Sequence, residues 1–271
     1  MPELPEVETT VRGLERVLDG QRIARVEVRR PDLRRPFPDG LGQRLTGARV
    51  TGLSRRAKFG LVATDRGETM IFHLGMSGRW RIDPDEIGAH DHLVLETQEG
   101  RRLALNDPRR FGSVDLVAND SLDAFQPFVG LGPEPLGEAI DGAWLKDRFA
   151  GRSAAVKLLL LDQRIVAGLG NIYACEALYR ARIDPRRAGG RIAKARLDLL
   201  AAAIPQVLEE AIAAGGSTLR DFAAPDGELG YFAKSFDVYG REGEACRSCA
   251  GAVKRIVQGG RSTFFCPSCQ R

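Results

Sequence analysis

The sequence predicts a multidomain α+β protein, because the period of its apolar residues changes along the chain. The first part alternates apolar and polar residues in short runs separated by turn signals, which indicates an antiparallel β-sandwich or barrel. The middle part has the apolar spacing of helices, and the end of the chain carries two Cys-x-x-Cys pairs. We therefore expect a sandwich domain, a helical domain and a small metal-binding module.

The first domain is predicted at residues 1–130 and opens with a helix. Apolar residues recur at helical spacing from Val7 to Leu18, and Gly20 ends the run. With no helix between them, strands are predicted at residues 24–29, 48–53, 59–64, 69–74, 92–96, 103–106 and 113–117. The opening helix should pack at the edge of the sandwich.

The second domain is predicted at residues 131–236. The prolines and glycines of residues 130–137 interrupt helix and strand periods alike, so the linker is placed there. Helices are predicted at residues 143–149, 154–161, 172–180 and 193–214, and Pro205 is expected to kink the last one. Residues 217–239 have no clear period and are predicted to form a long loop, a kind of segment that is often functional.

The third module is predicted at residues 237–271, around one structural zinc ion. Its ligands are expected to be Cys246, Cys249, Cys266 and Cys269, since two Cys-x-x-Cys pairs separated by 16 residues fit a four-cysteine zinc site. Redox-active thiols or two disulfides are the alternative, which a reducing cytosol disfavours. Between the pairs, residues 258–263 predict a hairpin tip. That tip presents Arg261 either as a functional group or as an ordinary turn arginine.

The charge pattern permits a polyanionic partner without requiring one. The formal net charge is +4, and most of the positive charge is arginine in adjacent pairs. Arginine binds phosphate through its planar, forked guanidinium. The alternative is that a GC-rich genome favours arginine codons and that these pairs lie on solvated surfaces. The chain has no apolar run near the ~20 residues that span a bilayer and no signal-sequence pattern, so a soluble cytosolic protein is expected.

The first six residues, Met-Pro-Glu-Leu-Pro-Glu, allow two interpretations. Initiator methionine is usually removed before proline, which would leave the secondary amine of Pro2 as a nucleophile that titrates near neutrality. Glu3 and Glu6 would then supply carboxylates beside it. The alternative is an ordinary helix start, because proline and acidic residues both suit the first helical turn.

Three turns are further candidates for function. Residues 106–112 place Arg109, Arg110 and Phe111 between two strands, and residues 73–78 place Met76 between glycines. Such side chains fit wedges pushed into a base stack, with core packing as the alternative for Met76 and Phe111. Residues 161–173 read as helix, glycine turn, helix, and the exposed N–H groups of such a turn can cradle a phosphate. A dinucleotide fingerprint is excluded there, because a helix precedes the glycines.

Taken together, these motifs resemble the bacterial formamidopyrimidine-DNA glycosylases, the 8-oxoguanine repair enzymes, over essentially the whole chain. The likeness is carried by residues 2–6, 55–58, 73–78, 106–112, 131–136, 168–173 and 238–241, and by the cysteines with Arg261. The resemblance implies an N-terminal β-sandwich flanked by helices, a helix-two-turn-helix domain with a lesion-capping loop, and a β-hairpin zinc finger. It also implies a monomeric, nucleoid-associated enzyme that excises oxidised purines from double-stranded DNA and cleaves the strand by β,δ-elimination.

The resemblance further implies roles for single residues. Pro2 matches the Schiff-base nucleophile, Glu3 the general acid/base, and Lys58 the proton donor for β-elimination. Arg261 matches the arginine that contacts the phosphates flanking the lesion and assists δ-elimination. The residues that match the triad filling the gap left by the everted base are Met76, Arg109 and Phe111, with Arg109 facing the orphaned cytosine. Further substrate or DNA-binding positions are Glu6, His73, His90, Arg152, Lys157 and Asn171.

Two rival functions fit parts of the sequence. An endonuclease VIII-like glycosylase would share the fold and the proline chemistry but prefer oxidised pyrimidines; Leu4, Met76 and the turn at residues 109–111 favour the purine enzyme. A non-catalytic zinc-ribbon protein that only binds DNA is the rival of another class. Cys175 and Asp184 depart from the family pattern without touching the expected chemistry.

Overall fold

The computed structural model describes residues 2–137, 140–217 and 232–271. Within these ranges the chain forms two compact units. One contains residues 2–129 with residues 214–217, and the other contains Gly130–Ala213 and Phe232–Arg271. The first unit carries two sheets, whereas the second is helical with one hairpin. The α+β class is therefore confirmed, with a β-sandwich, a helical region and a β-hairpin finger.

The first unit is built from eight strands in two antiparallel sheets. The strands are β1 (Ile23–Val28), β2 (Val50–Arg56), β3 (Phe59–Thr64), β4 (Glu68–His73), β5 (Arg79–Ile82), β6 (Asp91–Thr97), β7 (Arg102–Asn106) and β8 (Ser113–Ala118). Their order is β1-β6-β7-β5 in one sheet and β2-β3-β4-β8 in the other. Side chains from both sheets, such as Phe72 and Trp80, meet in one buried core. This core holds the turns at the strand ends in place.

Two helices accompany the sheets of the first unit, α1 (Leu4–Leu18) and α2 (Leu41–Leu45). The predicted opening helix is confirmed: α1 buries an apolar stripe that includes Leu14 and Leu18 in the shared core. The expectation of strands without a helix between them was wrong, because α2 lies between β1 and β2. A helix of five residues shows only one apolar repeat, Leu41 and Leu45, so its period could not be read. Strand β5 was also missed.

Among its described residues, the second unit contains four α-helices and a hairpin. They are α3 (Gly142–Phe149), α4 (Val156–Leu160), α5 (Asn171–Arg180), α6 (Lys194–Ala213), β9 (Lys254–Gln258) and β10 (Arg261–Phe265). All four predicted helices are confirmed with shifted ends, and α6 continues through Pro205. Within the described ranges, none of the helices is both long and apolar enough to cross a membrane.

The helical region and the finger share a small core inside the second unit. Tyr179 of α5, Val238, Val253 and Phe264 of β10 pack together there with cysteines of the finger. The division of this unit into residues 131–236 and 237–271 stays a prediction.

Candidate functional site

The start of the chain is held by two buried carboxylates. Pro2 is buried and lies directly before Glu3, the N-cap of α1. The Glu3 N–H donates to Glu6 Oε2 at 2.9 Å, while the N–H and the hydroxyl of Ser217 both donate to Glu6 Oε1 at 2.8 Å. Both oxygens of Glu6 thus accept hydrogen bonds from the protein. These contacts favour a positioning role for Glu6 over direct contact with a bound molecule.

Lys58 lies on the turn between β2 and β3, and this turn is tied to α1. The Arg55 guanidinium donates to the Ala57 carbonyl at 2.9 Å and to Glu8 Oε2 at 3.0 Å. Ala57 itself has a left-handed backbone with φ of 51°. Because Glu8 belongs to α1, the Arg55–Glu8 pair fixes the turn of Lys58 to the helix that begins beside Pro2. Lys58 is mostly buried, with 8% of its surface exposed.

His73 ends β4 and is held as a neutral ring. Its Nδ1 accepts the Gly75 N–H at 3.0 Å, so the proton is carried on Nε2, which can donate to an anion. The ring packs against Phe59 at 4.9 Å between centroids. Burial, together with the positive charges of Lys58, Arg34 and Arg35, lowers the pKa of His73 to about 4.

Because of this pKa, we expect His73 to reduce the stability of the protein as the pH falls from about 6.5 to about 4. In that window the unfolded chain binds a proton that the folded protein excludes. His73→Gln should flatten this part of the pH profile. The measurement is the free energy of unfolding in urea at about pH 7 and about pH 5 for both proteins. Burial also lowers the pKa of His92. Because His92 is present in both proteins, the difference between their pH profiles reports on His73 alone. Parallel profiles would contradict the assignment.

One buried carboxylate joins two turns, residues 73–78 and residues 106–112, by hydrogen bonds. Asp107 is fully buried; its Oδ1 accepts from the Ser77 hydroxyl at 2.6 Å and its Oδ2 from the Gly112 N–H at 2.8 Å. The Arg109 N–H in turn donates to the Ser77 hydroxyl at 3.2 Å. Gly75 has φ of 62°, and a Cβ atom there would lie 2.3 Å from the Phe111 carbonyl carbon. The two turns therefore form one rigid surface.

That surface presents the three predicted wedge residues to solvent. Met76 is 36% exposed and Phe111 is 44% exposed, so the core-packing alternative for both is wrong. The Arg109 guanidinium lies 4.9 Å from the centroid of the Phe111 ring. His90 is also exposed, and its carbonyl accepts the Asp107 N–H at 2.9 Å. Exposed apolar and cationic groups on a rigid turn are suited to entering a base stack.

The second unit carries a polar turn of its own at the start of α5. Gln163 braces the glycines before it, because its side chain accepts the Gly168 N–H at 2.9 Å and donates to the Leu169 carbonyl at 2.8 Å. Asn171 Nδ2 donates to the Ser262 carbonyl of β10 at 2.9 Å. Arg152 is exposed, as a phosphate contact requires, whereas Lys157 is fully buried in α4. The DNA-binding role of Lys157 stays a prediction.

The four cysteines of the finger fit one zinc ion. Their sulfur atoms all lie within 4.8 Å of one another, with 3.9 Å between Cys246 and Cys269 and 3.5 Å between Cys249 and Cys266. Tetrahedral coordination with Zn–S bonds of about 2.3 Å places sulfurs about 3.8 Å apart, whereas a disulfide needs about 2.05 Å. The disulfide alternative is therefore wrong. Four thiolates fill the coordination sphere, so the zinc is structural.

Arg261 begins β10 at the tip of the finger hairpin. It is exposed and pairs with Gln258 across a two-residue turn. Gly259 and Gly260 have φ of 55° and 71°, which is the backbone of the tight hairpin turns that glycine favours. The short turn and the zinc site at the base of the hairpin hold Arg261 on a rigid finger.

The relatives of this chain decide its family. A protein of Novosphingobium aromaticivorans named formamidopyrimidine-DNA glycosylase is 72% identical over 100% of both chains. Another of that name, from Rhizorhabdus wittichii, is 67% identical over 100% of both chains. The chain belongs to the formamidopyrimidine-DNA glycosylase family. The resemblance read from the sequence is thereby confirmed.

Family models match three parts of the chain. The formamidopyrimidine-DNA glycosylase N-terminal domain matches residues 1–114, and the family's H2TH domain matches residues 131–223. The zinc finger found in FPG and IleRS matches residues 243–271, which contain all four cysteines.

Solved structures of formamidopyrimidine-DNA glycosylases have the same fold. A mutant of the Lactococcus lactis enzyme in complex with DNA containing Fapy-dG is 34% identical, with a TM-score of 0.92 over 100% of both chains. The same values hold for a complex of that enzyme with DNA containing an abasic site. The Thermus thermophilus protein is 40% identical, with a TM-score of 0.89 over 99% of this chain and 98% of that one.

Several hydrogen bonds that build the candidate site escaped the sequence analysis. Ser217, Ser77 and Asp107 each make a hydrogen bond to a residue far away in the chain. Arg55 belongs to a stretch that carries the family resemblance, but its tie between the turn of Lys58 and α1 was not predicted. A local pattern carries no signal for such contacts, because each depends on the fold that brings the partners together.

Proposed function

We propose that this chain excises oxidised purines, 8-oxoguanine and formamidopyrimidines, from double-stranded DNA and then cleaves the strand at the abasic site. The observation that carries the proposal is the rigid exposed group of Met76, Arg109 and Phe111 in the same unit as the buried start of α1. A wedge of this kind serves an enzyme that must turn a nucleotide out of the duplex. The Lactococcus lactis relatives bound to DNA containing Fapy-dG or an abasic site support formamidopyrimidines and abasic sites as substrates.

The nucleophile in this proposal is the secondary amine of Pro2 after removal of Met1. Its lone pair would form a bond to C1′ as the base leaves with the glycosidic electron pair and takes up a proton. The nitrogen then loses its own proton, and the sugar ring opens at O4′ to give an iminium ion. This ion makes the C2′ proton acidic, so the 3′ phosphate is expelled first. Loss of the C4′ proton expels the 5′ phosphate, and hydrolysis of the iminium returns the amine.

Three further side chains are proposed to assist. Glu3, next to the amine, would exchange protons with the amine and the sugar as general acid/base. Lys58 would donate a proton during β-elimination, and its tie to α1 through Arg55 supports that role. Arg261 would bind the phosphates flanking the lesion and assist δ-elimination, since a guanidinium binds phosphate through two parallel N–H bonds.

The remaining predicted residues are proposed to hold DNA while the nucleotide is everted. Eversion costs a few kcal/mol of stacking, which wedge and phosphate contacts offset. Backbone contacts are assigned to His73, His90, Arg152, Lys157 and Asn171. Arg109 would face the orphaned cytosine. The lesion-capping loop was predicted at residues 217–239, and its residues 218–231 lie outside the described ranges. We further propose that the protein acts as a monomer in the cytosol, with nucleoid DNA.

Borohydride trapping tests this function directly. The protein, with intact mass showing that Met1 is absent, should become covalently joined to a duplex containing 8-oxoguanine opposite cytosine when borohydride reduces the iminium. If no adduct forms with a verified Pro2 terminus, the chain is a DNA-binding protein without catalysis. Thymine glycol in the same duplex is the comparison substrate. Much faster excision of thymine glycol than of 8-oxoguanine would replace the purine assignment with the endonuclease VIII-like one.

A further inference from the structure

A buried carboxylate in the middle of α5 holds the segment that leads into the finger. Glu176 is fully buried. Its Oε2 accepts the Asp237 N–H at 2.8 Å, and its Oε1 accepts the N–H groups of Val238 at 3.0 Å and Tyr239 at 2.8 Å. Three consecutive backbone donors therefore converge on one side chain, in the manner of a nest that binds an anion.

Burying a carboxylate costs free energy, which its hydrogen bonds must offset. Burial raises the pKa of Glu176, and the three N–H donors only partly offset that rise, so desolvation of the carboxylate remains costly. An apolar residue at this position would avoid that cost, but it would leave three N–H groups buried without an acceptor. The carboxylate thus fixes the backbone of residues 237–239 to α5 more firmly than packing alone.

The fixed segment reaches the finger hairpin through Tyr239. The Tyr239 ring packs against the Phe264 ring of β10, with 4.9 Å between centroids. Its hydroxyl accepts from Asn171 Nδ2 at 3.2 Å, and the same Nδ2 group donates to the Ser262 carbonyl at 2.9 Å. Ser262 is the chain neighbour of Arg261. Two contact paths, one apolar and one polar, therefore run from the segment that Glu176 holds to the strand that carries Arg261.

We propose that Glu176 is a positioning residue for Arg261. By holding residues 237–239, it sets the position of Tyr239, and Tyr239 with Asn171 sets the position of β10. The functional consequence rests on the proposed role of Arg261: loss of the Glu176 clamp impairs δ-elimination more than base excision, because the arginine is no longer held where the phosphate leaves.

The test is Glu176→Gln, which keeps the size of the side chain and removes its charge and one acceptor oxygen. With enzyme in excess over an 8-oxoguanine duplex, base release, the β-elimination product and the δ-elimination product are measured separately. We expect base release within about twofold of the parent, and a ratio of δ to β product lowered about tenfold by the loss of one charge-assisted hydrogen bond. Zinc content and the fraction trapped by borohydride should not change.

Glu209→Gln is the matched control. Glu209 is exposed on α6, so the same chemical change there should leave the product ratio alone. If Glu176 only stabilises the fold, its variant lowers base release, both elimination products and the trapped fraction by the same factor. That equal loss, or an unchanged ratio, overturns the proposal.

Two further measurements separate this inference from the role of Arg261. Arg261→Ala should lower the product ratio without altering amide hydrogen exchange at residues 237–239. If it leaves the ratio unchanged, the proposed role of Arg261 fails, and the clamp is then judged by exchange alone. Glu176→Gln should speed exchange at residues 237–239 and in β10, and unchanged exchange overturns the clamp. In the unsubstituted protein the amides of residues 237–239 should exchange slowly. Fast exchange of these amides overturns the proposed clamp whether or not the variant folds.

Discussion

Replacing Pro2 with glycine should slow base excision by at least about a hundredfold while the affinity for lesion-containing DNA stays within about threefold. Glycine also offers an α-amine, but it lacks the ring that fixes the nitrogen beside Glu3. The helix should survive, because α1 begins at Leu4 and keeps Pro5 in its first turn. Excision rates with enzyme in excess and fluorescence anisotropy with an uncleavable abasic analogue measure the two effects.

Pro5→Ala is the control for the Pro2 variant, since it removes a proline from the same six residues and leaves the terminal amine intact. Its excision rate should remain within about threefold of the parent, because alanine is also tolerated in a first helical turn. Equal loss of excision and DNA binding in the Pro2 variant would instead assign Pro2 a structural role.

Replacing Cys246 with serine should release the zinc, unfold the finger and weaken DNA binding by at least about tenfold. In such modules the free energy of zinc binding is the free energy that folds the chain, so a site with three thiolates stabilises the hairpin less than one with four. Cys246 also lies against the Tyr179 hydroxyl at 3.2 Å, which joins the finger to α5. Zinc content by atomic emission, hydrogen exchange in β9 and β10, and anisotropy with DNA measure the three effects.

Cys175→Ala is the matched control for the zinc ligand. Cys175 is buried in the same small core but is not among the four clustered sulfurs. This variant should keep one zinc ion per chain and bind DNA like the parent. Loss of zinc from both variants would show that the finger core, and not the ligand set, controls the metal. Unchanged DNA binding in the zinc-free Cys246 variant would show that the finger is dispensable for affinity.

The parts of the fold that the sequence predicted are those with a local signal. The stripe from Val7 to Leu18 predicted α1, and two Cys-x-x-Cys pairs predicted the zinc site. Helix α2 and strand β5 were missed because five and four residues are too few to establish a period. The wedge turns were located, but the exposure of Met76 depends on packing beneath it and could not be read.

The hydrogen bonds that support the site had no sequence signal. Asp107 and Ser77 are ordinary turn residues until the fold places them 2.6 Å apart, and Glu176 follows Cys175 in a helix with nothing to mark it. Lys157 shows the opposite case: the resemblance implied a contact with the DNA backbone, and the fold buries the side chain completely. Residue type predicts what a side chain can bind, whereas tertiary contacts decide whether it is presented.

The locking of the two wedge turns by Asp107 has a consequence for how damage is found. Because the turns are already ordered, their conformational entropy is lost during folding and not at the encounter with DNA. In the proposed function, inserting this wedge into a duplex would therefore cost only the free energy needed to unstack the base pair. A pair weakened by damage unstacks more readily than an intact one, so a preordered wedge would distinguish base pairs by their resistance to deformation before any group contacts the everted base.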